Sequence, residues 1–153
     1  MTDGLVFYVD AGNEDSYPGT GTTWSDLVGG NDGSFNNMDD INNPSNNYDS
    51  GNGGSIVFDG VDEYVDFGSG LFSFQPNEPL TISCWVKDIG SGNEAIISNM
   101  NSSSPYNGWE FGFNQFNWLF FDLEHTWNTS GKGIAIKVEG VSRSGFKNFT
   151  VTY

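Results

Sequence analysis

The side chains best suited to chemistry in this sequence are carboxylates, and two of them share a short apolar stretch. In Phe120-Phe121-Asp122-Leu123-Glu124, strand alternation puts Asp122 and Glu124 on one face and Leu119, Phe121 and Leu123 on the other. Carboxylates that share a strand face are the raw material of acid/base chemistry. The competing reading is a pair of solvent-facing acids on a half-buried strand. His125, the single histidine, follows directly. No Gly-x-Ser-x-Gly elbow supplies a serine for a triad with it, so it reads as a surface residue after a strand.

Cys84 shares a strand face with Ile82 and Val86 and reads as a small buried hydrophobe rather than a reactive thiol. One cysteine forms no intrachain disulfide, and without a Cys/His cluster no ordinary zinc site is expected. Calcium is the one metal the side chains suit, since it takes roughly six to eight oxygen ligands. Asp10, Asn13 and Asp15 form one cluster of oxygens, and Asp59, Asp62, Glu63 and Asp66 form another. Asp59, Asp62 and Asp66 are the candidate ligands, set against the plainer reading of solvated turn acids. Tyr106, Trp118 and Trp127 lie near polar loops and are the candidates for stacking on sugar rings, with core or interface packing as the alternative.

Strands must position these groups. Leu80, Ile82, Cys84 and Val86 alternate with Thr81, Ser83, Trp85 and Lys87, a half-buried strand pattern. Trp109, Phe111 and Phe113 follow the same rule, as do Ile134, Ile136 and Val138, and Phe149, Val151 and Tyr153. Denser apolar runs at Leu5–Val9, Ile56–Phe58 and Trp118–Leu123 predict further strands. Only Glu94–Met100 has room for a turn of helix. The 19-residue stretch Asn36–Gly54 is rich in Asn, Asp, Ser and Gly and reads as a loop that is functional or packed over an edge.

The composition bounds the class. With 153 residues, 36% hydrophobic and 16% aromatic, the chain is expected to form a single domain over 1–153 with a real core. Twenty acidic side chains against five basic give a net charge of −15, which disfavours binding to nucleic acid or to an anionic membrane surface by charge attraction. Residues 1–86 carry −14 and residues 87–153 carry −1, so the nearly neutral C-terminal part is where a docking surface is expected. No apolar run exceeds the five residues Leu5–Val9, far short of the roughly 20 that span a bilayer. The opening segment has neither the basic nor the long apolar region of a secretory signal.

Three segments carry a family pattern. The first is Gly4-Leu5-Val6-Phe7-Tyr8-Val9-Asp10-Ala11-Gly12-Asn13 with Ser16-Tyr17-Pro18-Gly19-Thr20-Gly21-Thr22-Thr23-Trp24-Ser25-Asp26-Leu27 and Asn31-Asp32-Gly33. The others are Gly54-Ser55-Ile56-Val57-Phe58-Asp59-Gly60 with Asp62-Glu63-Tyr64-Val65, and Leu80-Thr81-Ile82-Ser83-Cys84-Trp85-Val86-Lys87. Together, over residues 4–125, they resemble the laminin-G-like, concanavalin A-like lectin/glucanase jelly-roll superfamily, of the type found in structural proteins of tailed, above all marine, bacteriophages.

The resemblance implies an all-β fold, an antiparallel two-sheet jelly-roll sandwich with little or no helix. It also implies a chain that is C-terminally short for the family, so that a partner is expected to cover an open sheet edge. Glycosidases of this fold carry Glu-x-Asp-x-Glu, and Phe120 stands where the first carboxylate belongs, so catalysis is not expected. The implied role is a non-catalytic structural protein on the virion surface, a capsid decoration or a fibre or tail component. Its partners would be other virion proteins and copies of itself. The alternative is a lectin-like, carbohydrate-binding module, calcium-dependent or not, that contacts host-surface glycans.

Overall fold

Strands form where apolar residues alternate and a neighbouring strand can take up the backbone hydrogen bonds. The computed structural model describes residues 4–39, 47–69, 78–87, 90–101, 107–124 and 133–153. The fold is all-β, every strand pair is antiparallel, and a 3-10 turn spans Gly51–Gly53. The chain divides into two compact units, Met1–Leu71 and Phe72–Tyr153.

The first unit has short strands: β1 (Thr23–Trp24), β2 (Gly33–Asn36), β3 (Tyr48–Asp49), β4 (Ser55–Ile56) and β5 (Tyr64–Asp66). They make a three-stranded sheet in the order β1-β2-β5 and a β3-β4 pair. Ladders this short hold little by themselves, and aromatic packing supplies the rest. Trp24 stacks on Phe35 with ring centroids 6.1 Å apart, Tyr17 packs against both Phe35 and Tyr48, and Phe7 meets Phe67 edge-on. Gly12 is required here, because a Cβ at that position would lie 1.6 Å from the Gly53 carbonyl oxygen. Part of the long polar loop is therefore built into the unit.

Leu5–Val9, expected as a strand, joins no sheet. Its backbone is used otherwise: Tyr8 donates its N–H to the Asp26 carboxylate, and its carbonyl accepts from the Leu27 N–H. Of Ile56–Phe58, only Ile56 lies in a strand, and Val57 and Phe58 are exposed.

The second unit contains β6 (Thr81–Val86), β7 (Glu94–Ser98), β8 (Gly108–Phe113), β9 (Leu119–Glu124), β10 (Gly133–Val138) and β11 (Lys147–Thr152). Four of them form a sheet in the order β10-β9-β8-β7, and β11 pairs with β6 as a ribbon. Reciprocal Leu80 and Tyr153 backbone bonds of 3.0 and 2.8 Å extend the ribbon by one rung. Alternation turns Trp109, Phe111 and Phe121 of the sheet toward Ile82 of the ribbon, and Cys84, Phe149, Leu119 and Leu123 pack around them. Burial raises the Cys84 thiol to about 11, which keeps it protonated and unreactive, as its place among Ile82 and Val86 implies. Glu94–Met100 is not helical. Its first five residues pair with β8 around a bulge between Ala95 and Ile97, so a partner strand overrides the weak local helix preference.

Candidate functional site

The carboxylates gather on the outward face of the four-stranded sheet. Because Leu119, Phe121 and Leu123 pack into the core, Phe120, Asp122 and Glu124 face the other way. The register places Glu110 of β8 directly opposite Asp122, and Ser98 of β7 opposite Glu110. On the other flank, β10 sets Ala135 against Asp122 and Gly133 against Glu124. A side chain at position 133 would run into the Glu124 carboxylate, 2.4 Å from a Cβ placed there. The acids are thus bordered by residues small enough to leave room for them.

Phe120 brings no carboxylate to this face, but a third acid, Glu110, arrives from the neighbouring strand. Nothing in Trp109-Glu110-Phe111 marks it, since only the pairing register brings it to Asp122.

Residues directly opposite in an antiparallel pair have Cβ atoms about 4.5–5.5 Å apart, and like charges there repel. Burial, then the negative charges of Glu124 and Glu110, raise the Asp122 carboxyl from 3.8 to about 6. Burial also raises Glu110, partly offset by its hydrogen bond with Ser98. Such a group can hold a proton, or accept hydrogen bonds from a hydroxyl-bearing ligand, in a slightly acidic medium.

The arrangement lowers stability at neutral pH. A native state that binds the Asp122 proton more tightly than the unfolded chain loses stability as pH rises from about 4 to about 6. The rise to about 6 corresponds to at most about 3 kcal/mol, which solvent screening at this half-exposed position reduces to roughly 1 kcal/mol. Asp122→Asn is therefore expected to be more stable than the parent at pH 7.5 by about 1 kcal/mol and no more stable at pH 3.5. Urea unfolding at the two pH values checks this, and a loss of stability at pH 7.5 would refute the repulsion.

Of the three sugar-stacking candidates, Trp118 is among the described residues, whereas Tyr106 and Trp127 lie outside them, as does His125. The Lys137 ammonium sits 4.0 Å over the Trp118 ring, and Phe116 packs 5.5 Å away. One face of that ring is already occupied.

The calcium candidates Asp59, Asp62 and Asp66 do not converge, because each carboxylate closes a local contact. Asp59 accepts from the Val61 N–H at 2.8 Å, Asp66 from the Gly68 N–H at 2.8 Å, and Asp62 from the Asn37 amide at 3.2 Å. The carboxylates that do approach within 4.8 Å of one another are Asp39, Asp59 and Glu63. Glu63 is the centre of this group: it accepts from the Asp39 N–H (3.1 Å), the Asn47 amide (3.0 Å) and the Asp59 N–H (2.6 Å). These bonds make Glu63 a clasp between loops. In the other cluster, Asp10 and Asn13 cap turns through the N–H groups of Gly12 and Asp15.

No protein-family model matches the chain, and comparisons with curated proteins and with solved structures find no match.

Proposed function

We propose that the protein is a non-catalytic structural component of a phage particle that docks onto a partner protein through β10. The observation that carries this reading is the exposure of β10 along its whole length. Ile134, Ile136 and Val138 are 40%, 42% and 54% exposed. They lie on the same side of the sheet as their partners Leu123, Phe121 and Leu119, which the core covers. Among the described residues, β10 pairs with β9 on one side and with no strand on the other. An apolar row beside an open ladder edge is a template for strand addition or for a packed interface.

Charge favours the same unit. Unit one carries thirteen acids and no Lys or Arg, while all five basic side chains belong to unit two, so an acidic partner meets least repulsion there. The particle setting and the concanavalin A-like jelly roll rest on the resemblance in residues 4–125. The antiparallel pairing throughout supports that fold.

Mass spectrometry of purified particles from the producing cells is expected to find the protein in stoichiometric amounts. Ile136→Lys, a half-exposed position, is expected to shift the melting temperature by only about 2–4 °C while reducing incorporation about tenfold or more. Particles that lack the protein, or that take up the variant as well as the parent, would overturn the reading.

A further inference from the structure

We infer that β10 pairs with the β10 of a second copy of this chain, antiparallel, about a two-fold axis at Ile136. Self-pairing rests on β10 being the docking strip proposed above and names the chain that occupies it. The backbone of β10 is set for it. The Trp109 carbonyl accepts from the Asn99 N–H on the β7 side at 2.9 Å, so ladder alternation turns Gly108, Glu110 and Gly112 toward β9. Their partners Glu124, Asp122 and Phe120 face β8 in return, which leaves Leu119, Phe121 and Leu123 to bond Val138, Ile136 and Ile134 of β10. Gly133, Ala135 and Lys137 therefore hold their N–H and C=O groups out at the open edge.

A two-fold contact must match itself, because every contact recurs in reverse. With the axis at Ile136, that residue meets its own copy and Ile134 meets Val138. The half-exposed apolar rows of the two copies then join into one strip on the core-facing side of a continuous sheet. On the opposite side, Ala135 exchanges both backbone bonds with Lys137 of the second copy, and Gly133 comes to Glu139. Each charged side chain thus faces Ala or Gly, and no like charges stand directly opposite, where they would destabilise the pair. The neighbouring axes fail this test. An axis at Lys137 sets two ammonium groups face to face, and one at Ala135 carries Val138 past the Gly133 end of the other strand.

Charge points to the same occupant. β10 carries one charged side chain, Lys137, which already has Glu139 at 3.3 Å and the Trp118 ring at 4.0 Å, so the strand offers a basic partner no acid to meet. Each copy carries −15, and two copies can approach only where acids are sparse, as they are on β10. Six half-exposed apolar side chains and one ladder make a contact below the roughly 1,600 Å² of a standard interface, so micromolar affinity is expected. Salt screens the repulsion between the two acidic bodies, so the contact tightens as salt is added.

Sedimentation equilibrium of the full chain, from micromolar to about 1 mM, is expected to show a monomer–dimer equilibrium that is several-fold tighter in about 500 mM than in about 50 mM NaCl. Ile136→Lys puts two ammonium groups on the axis and is expected to weaken the dimer more than tenfold. Disulfide trapping reads the register. Ile136 and its copy form a non-hydrogen-bonded pair, with Cα atoms about 4.5 Å apart, a separation that a disulfide spans. Ile136→Cys is expected to be trapped as a covalent dimer on mild oxidation, whereas Ile134→Cys and the parent, with Cys84 packed at the core, are not. Melting temperatures within about 4 °C of the parent verify that the variants fold. Self-pairing is overturned by a trapped Ile134→Cys dimer, by a dimer that weakens as salt is added, or by an Ile136→Lys protein that dimerises like the parent. A parent that stays monomeric at about 1 mM, while Ile136→Lys still blocks incorporation into particles, overturns self-pairing alone and leaves β10 docked on a different protein. A parent that dimerises through Ile136, while Ile136→Lys enters particles as the parent does, overturns the particle role alone.

Discussion

Asp26→Ala is expected to remove about 3–5 kcal/mol from the first unit, enough to leave a unit of about 70 residues largely unfolded at 37 °C. Asp26 is buried, with 8% of its surface exposed, and its carboxylate is saturated with donors. Oδ1 accepts from the backbone N–H groups of Tyr8 (2.9 Å) and Val28 (3.1 Å). Oδ2 accepts from Gly29 (3.0 Å) and from both the backbone (3.1 Å) and the side-chain amide (3.2 Å) of Asn31. The Asp26 N–H in turn donates to Asp32 Oδ1 at 2.9 Å. One side chain thus fixes the 27–31 turn and ties Tyr8 to it. Alanine orphans four backbone donors at once, at about 1 kcal/mol each or more. Asp26→Asn keeps the shape but turns an amide N–H toward donors at one oxygen, so about half the loss is expected. Hydrogen exchange of the Tyr8, Val28 and Gly29 amides measures both variants.

The same carboxylate makes stability depend on pH. Burial alone would raise it, but the hydrogen bonds from Tyr8, Asn31 and Val28 outweigh burial and hold it below its ordinary 3.8. A depressed native value contributes stability that is complete above the unfolded value near 4 and is lost as pH falls through the native one. Protection of these amides is expected to fall below about pH 4 in the parent, and that dependence is expected to vanish in Asp26→Asn.

The sequence made some of this legible and hid the rest for physical reasons. Long alternating strands declare themselves: Leu80–Lys87 and Trp109–Phe113 appear as β6 and β8, because the core selects one face of each, and Ile134–Val138 appears as β10, although every residue of it is exposed. The first unit does not, since Tyr8 gives its backbone bonds to Asp26 and Leu27 rather than to a strand. The acids show the same limit. Asp122 and Glu124 lie two residues apart and are readable, whereas Glu110 joins them through register alone. Asp39 likewise reaches Glu63 from 24 positions away. The alternating pattern puts Trp85 on the strand face opposite Ile82 and Cys84, yet that its large ring is left 70% exposed depends on how the ribbon packs.

Arg143→Met is expected to cost the second unit about 3–5 kcal/mol, although the residue sits outside any strand. Its side chain is 7% exposed. Nη1 donates to the Gly90 carbonyl (2.6 Å) and to Glu94 Oε2 (3.1 Å), and Nη2 donates to the carbonyls of Gly92 (3.3 Å) and Asn114 (2.5 Å). The guanidinium also lies 4.8 Å from the centre of the fully buried Phe113 ring. One planar cation therefore clamps the approach to β7 and the turn after β8. Lysine brings the charge without the fork, so Arg143→Lys is expected to lose about half as much. The ion pair is not the main term, because three of the four acceptors are backbone carbonyls and the Glu94 side chain, 31% exposed, can recover water. Comparing Arg143→Met with Arg143→Met/Glu94→Gln separates the two contributions. If an unpaired buried charge dominated, the second substitution would restore most of the stability. The carbonyl clamp predicts that it restores less than half, and urea midpoints of the two variants decide between them.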